Sequence, residues 1–186
     1  AAALGLDYGE LDALRDNTQH YGYGGIEWDT TEKLSLYFKG GYQKREYEVD
    51  DVAGAFDWDG FTFDLRSLYR FTEKTQFSLD AYSRSEEADS RFAADKLVLG
   101  LFANYQQRFT EKISGVVDFI YERADYSQVE DIDRDDDRFY IKPALRYQFR
   151  EWMMTELAYS FETRDSTVDV LDYDTNTVIL NLTFAM

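Results

Sequence analysis

Four aspartates stand at alternate positions in "DIDRDDD": Asp131, Asp133, Asp135 and Asp137. Carboxylates at that spacing are what a calcium loop presents to its ion. An EF-hand would also need Gly at its sixth position and Glu at its twelfth, and Asp136 and Lys142 occupy them. The EF-hand is excluded. An improvised Ca²⁺ or Mg²⁺ site stays open beside the plainer reading of a solvated acidic loop. The other residue suited to chemistry is His20, in "NTQH". A histidine beside a carboxylate or a hydroxyl can act as a base in hydrolysis. No second histidine and no nucleophile motif accompany it, so a loop or interface histidine is expected. The chain is expected to have no catalytic residues and no cofactor beyond such a cation.

Charge narrows the partners. The chain has 37 Asp and Glu against 20 Lys and Arg, a formal net charge of −17. Phosphate backbones need a basic face, so nucleic acid is not an expected partner. The absence of cysteine excludes disulfides and thiolate metal centres. No apolar run approaches the roughly 18 residues of a membrane helix. The chain opens "AAALGLDYGE" without a basic leader region, so a removed leader or a longer gene product is expected.

The elements that would carry these residues follow from a repeat. "FTEK" occupies Phe71–Lys74 and Phe109–Lys112, "TTEK" occupies Thr30–Lys33, and "FREW" occupies Phe149–Trp152. The segments between them alternate apolar and polar residues with period two, the mark of a strand with two different faces. Phe61, Phe63, Leu65, Tyr69 and Phe71 oppose Thr62, Asp64, Arg66 and Arg70. Val178, Leu180, Leu182 and Phe184 oppose Thr177, Asn181 and Thr183. Ten strands are expected, roughly 1–12, 20–29, 34–48, 59–71, 75–87, 96–109, 113–127, 138–149, 153–165 and 175–186. The repeated tetrapeptides are their short turns, and the other connections are longer and acidic. The fold class is all-β: an antiparallel up-and-down β-barrel over residues 1–186, one domain.

A soluble barrel would bury the apolar face and a membrane barrel would turn it outward. A small barrel has little interior room, and this face carries Phe, Tyr, Leu and Ile in nearly every position. Trp28, Phe71, Phe109 and Phe149 all precede the short turns, as one aromatic girdle would. Tyr42, Phe61, Tyr121 and Phe161 lie nearer the long loops. A transmembrane barrel is therefore expected. Its partners would be outer-membrane lipid and lipopolysaccharide, whose phosphates share divalent cations with acidic loops. Counting outward from the short turns sets Arg66 opposite Asp80 and Arg146 opposite Glu156, as structural charge pairs of a polar interior. The glycines of "YGYGG" and "KGGY" lack phosphate-loop spacing and fit close packing beside Tyr21, Tyr23 and Tyr37.

"YGYGGIEWDTTEKLS", "FTEKTQFSL", "YQQRFTEKISG" and "RYQFREWM" together resemble the porin-like outer-membrane β-barrel family found beside exopolysaccharide and exosortase-type loci. The resemblance spans essentially the whole chain. It implies an outer-membrane location, a porin-like role and a context of exopolysaccharide export. Members are longer, and this chain resembles their C-terminal half, which implies more than ten strands in the complete barrel. Two other roles stay in view: a scaffold barrel with a plugged lumen and acidic loops, and a rim hydrolase built on His20.

Overall fold

The computed structural model describes residues 17–47, 58–88, 95–126 and 134–185. Over those residues the period-two alternation becomes nine strands: β1 (Asn17–Thr31), β2 (Leu34–Tyr47), β3 (Trp58–Thr72), β4 (Thr75–Glu87), β5 (Asp95–Arg108), β6 (Ile113–Tyr126), β7 (Asp135–Arg150), β8 (Met153–Ser166) and β9 (Tyr173–Phe184). Each pairs antiparallel with the next, in a single sheet whose order is the chain order. The strand expected over residues 1–12 lies outside the described residues. β1 and β9 are not paired with each other, so the sheet is an unclosed part of a barrel wall. No helix among the described residues is long and apolar enough to cross a membrane.

The short turns show why one tetrapeptide recurs. Thr31 Oγ1 accepts the backbone N–H groups of Lys33 (3.2 Å) and Leu34 (3.0 Å). Thr110 Oγ1 does the same for Lys112 (3.2 Å) and Ile113 (3.0 Å), and Thr72 Oγ1 accepts from Lys74 (3.1 Å). A threonine hydroxyl thus holds each of these three reversals by a local side-chain-to-backbone bond. "FREW" lacks the threonine, and there Gln148 Nε2 donates to the carbonyls of Arg150 and Met153 instead. Three of the turns carry a register shift just before them, between Asp29 and Thr31, Arg70 and Thr72, and Gln148 and Arg150.

The two faces differ as the alternation predicts. Following the register across the strands, one face carries Trp28, Phe38, Phe61, Phe77, Leu101, Phe119, Ile141, Leu157 and Leu180. Many of these side chains are open: Trp28 is 58% exposed, Leu157 52% and Leu180 67%. The buried residues Gln43, Val98, Val116, Asp136, Glu156, Ala158 and Ser160 stand on the opposite, polar face, so the sheet curls towards its polar side. No large side chain among the described residues is fully buried. The few buried apolar residues, such as Val98, Val116 and Ala158, are small, and most of the large apolar side chains of the described residues face outward. Such an expanse is stable only against a nonaqueous medium.

The apolar band has edges. Phe61 to Phe71 covers about 33 Å of strand, or about 25 Å at a tilt of roughly 40°, the height of a barrel's lipid-facing band. Trp28, Phe71, Phe109 and Phe149 are all exposed on this face beside the short turns. Towards the long loops the same face turns charged. Tyr42 donates its hydroxyl to Asp59, Tyr121 to Asp137 Oδ1 (2.5 Å) and Tyr159 to Asn176 Oδ1 (2.5 Å). A ring on the apolar side with its hydroxyl tied to a polar group above is how tyrosine sits at a membrane interface.

Candidate functional site on the polar face

The polar face is a series of rungs, each one register row across the sheet. The rung of greatest interest contains Lys39, Asp64, Tyr82, Gly100, Glu122 and Arg138, one residue from each of β2 to β7. Tyr82 on β4 reaches over β5 and donates its hydroxyl to Glu122 Oε1 on β6 (2.5 Å). That crossing is open only because position 100 is glycine: a Cβ there would lie 2.1 Å from Tyr82 Cζ. Arg138 then donates to Glu122 Oε2 from Nη1 (2.7 Å) and to Glu162 Oε1 from Nε (2.9 Å). Tyr173 completes the belt by donating to Glu162 Oε1 (2.6 Å). Five strands, β4 and β6 to β9, are thereby linked by side chains that pass over β5, in addition to their backbone ladders. The Arg84 guanidinium lies 4.3 Å above the Tyr82 ring.

Above this belt, towards the long loops, Asp136 is buried. It accepts from Arg134 Nε (3.0 Å) and Ser166 Oγ (2.6 Å). The Arg134 guanidinium, just outside β7, is pushed up from the ordinary arginine range, first by its hydrogen bond to Asp136. It also covers the Tyr126 ring at 3.9 Å. Below the belt, Asn104 donates to Asp118 Oδ1 (2.6 Å), and Gln106 donates to Asn104 Oδ1 (2.9 Å). Within these clusters carboxylate, guanidinium and amide are matched across neighbouring strands, as a buried polar surface requires.

The residues singled out from sequence fall as follows. Arg66 stands opposite Asp80, yet the two form no ion pair within 4 Å, and the guanidinium instead lies over the Tyr37 ring at 5.4 Å. Arg146 stands opposite Glu156 and donates to its Oε2 at 2.6 Å, with Asn181 adding a 3.4 Å bond to Oε1. Asp131 and Asp133 lie outside the described residues. Asp135 and Asp137 are on β7, facing outward, where Arg123 reaches Asp135 Oδ2 (3.2 Å) and Tyr121 reaches Asp137. His20, opposite Lys44, stands on the outward face. Tyr23 packs over Gly41, where a Cβ would come within 2.5 Å of the Tyr23 Cβ. The belt through Tyr82, Glu122, Arg138, Glu162 and Tyr173 was not legible in the sequence. Its one visible signal was Gly100, an isolated glycine inside a strand, which marks a close approach.

No curated protein and no solved structure matches the chain. A family model does: the one described as "Putative beta-barrel porin 2" matches residues 7–186. An up-and-down antiparallel wall with an apolar outer face and a polar, charge-matched inner face is the structure that family name describes, and the chain belongs to this family of β-barrel porins.

Proposed function

We propose that the protein is a porin-like channel of an outer membrane, serving the passage of a polar solute or polymer, with exopolysaccharide export as its setting. The observation that carries this reading is the inner face. Where its charges pair, they pair with neighbours along the wall, as in Arg138 with Glu122 and Glu162 and Arg146 with Glu156. Pairs between adjacent strands line a wall without bridging a lumen, which favours a conducting barrel over a plugged scaffold. His20 stands on the outward face beside Lys44, so no catalysis is proposed. The test is single-channel recording of the folded full-length protein in planar bilayers. Discrete conductance steps are expected, and a folded sample giving none above background would remove the channel reading.

A further inference from the structure

The short-turn end of the polar face differs from the rest. There Arg70 on β3, Arg108 on β5 and Arg146 on β7 stand on two adjacent rungs. Arg70 shares its rung with Gln76 and Gln106, and Arg108 shares its own with Ser114 and Arg146. Alternate strands lie about 10 Å apart, close enough for long side chains to converge. They border a cavity of about 380 Å³ in which Arg70, Lys74, Arg108 and Arg146 face one acid, Glu73.

Arg66 lies over the Tyr37 ring, and other arginines of this face hold carboxylates. Arg138 has two carboxylates, Arg164 lies 3.9 Å from Asp136, and Arg146 holds Glu156. Arg70 and Arg108 have no carboxylate within 4 Å among the described residues. In a chain with 37 acidic residues, two guanidiniums left open beside a third form a local positive field against the overall charge. A guanidinium fork matches carboxylate and phosphate oxygens in geometry as well as sign. Serine and glutamine between the arginines supply neutral hydrogen bonds.

We propose that Arg70 and Arg108, with Arg146 beside them, form an anion-binding site at the short-turn mouth of the lumen, taking the carboxylate or phosphate groups of a passing solute. This rests on the channel reading and specifies the charge of what passes. Low-dielectric walls focus the field of such a cluster and raise the local concentration of the opposite ion.

The experiment compares the full-length protein with the double variant R70Q/R108Q in planar bilayers at about 0.1 M salt, where the screening length is about 10 Å, the spacing of the arginines' strands. Pyrophosphate, an oligogalacturonate and a neutral maltooligosaccharide are added as blockers. Pyrophosphate and oligogalacturonate report phosphate and carboxylate recognition separately. Block of the native protein by at least one anion is expected. The double variant should need at least about tenfold more of it, the loss of charge-assisted bonds, with permeability shifted towards cations. Equal block in both proteins, or block by the neutral sugar alone, overturns the site. Should the protein not conduct, the channel reading fails separately, and calorimetric titration of pyrophosphate and of oligogalacturonate into detergent-folded protein decides the site. Binding of either that weakens at least about tenfold in R70Q/R108Q supports it, and equal or absent binding of both overturns it. R70K/R108K, which keeps the charge, should retain part of the block and controls for folding.

Discussion

At the scale of single residues, Gly100 and Tyr82 form one device. The glycine is there for space: the phenol ring occupies the place a side chain would take. Gly100→Ala forces the ring aside and breaks its bond to Glu122, at about 1–3 kcal/mol for overpacking a filled site. Tyr82→Phe removes only the hydroxyl, at about 1 kcal/mol or somewhat more because the acceptor is charged. Together the two changes should cost clearly less than their sum, since once the ring is displaced its hydroxyl has little left to lose. Urea unfolding of the lipid-reconstituted variants reads this coupling, and strictly additive costs would show that the Tyr82–Glu122 bond does not depend on Gly100. The recurring threonines act at the same scale. Thr31, Thr72 and Thr110 recur because each closes a turn with its hydroxyl, which the sequence displayed as a repeat without displaying its cause.

At the scale of elements, periodicity and short turns carried the reading far. Tight turns leave the chain little freedom, so counting back from them placed Arg66 opposite Asp80 and Arg146 opposite Glu156, the pairings seen in β3–β4 and β7–β8. The long acidic connections give no such count, so the register of β4 on β5 and of β6 on β7 was not legible. The belt through Tyr82, Glu122 and Arg138 depends on both. Pro143 is a second case. It lacks an N–H, and the β7–β8 ladder skips Lys142 and Pro143 before resuming in the same register at Ala144, though alternation alone runs through it without a break. In β1 the register runs unbroken through Gly24 and Gly25, so Tyr21 and Tyr23 fall on the polar face while Ile26 and Trp28 are outward. The outward face permits a prediction by depth. Leu157→Arg, in mid-band on β8, should destabilise by about 2–4 kcal/mol, and Thr163→Arg, outward on the same strand near Asp137 and Asp165, by about 0–1 kcal/mol. Folding titrations into lipid vesicles measure both. Equal, small costs at the two positions would mean that this face meets water.

At the scale of the whole molecule, the decisive feature is that nine antiparallel strands leave β1 and β9 running in the same direction. Direct closure between them would be a parallel pair, whereas single-chain barrels of this type close antiparallel on an even strand count. An open edge in hydrocarbon leaves each backbone N–H and C=O unsatisfied at several kcal/mol apiece. At least one further strand must therefore lie between β9 and β1. The segment around Leu4–Tyr8 alternates suitably for one, and the resemblance to longer barrels leads us to expect more than one. Since the chain has no cysteine, engineered pairs give a clean test. Leu157→Cys with Leu180→Cys, opposite each other in β8 and β9, should join through a short thiol cross-linker in lipid and serves as the reference. Cysteines at Leu4, Leu6 or Tyr8, each combined with one at Val178, Leu180 or Leu182, should remain unjoined within a chain if more than one strand intervenes. Linkage of any such pair as efficient as the reference would instead fix a ten-stranded ring, with that segment sealing β9 directly.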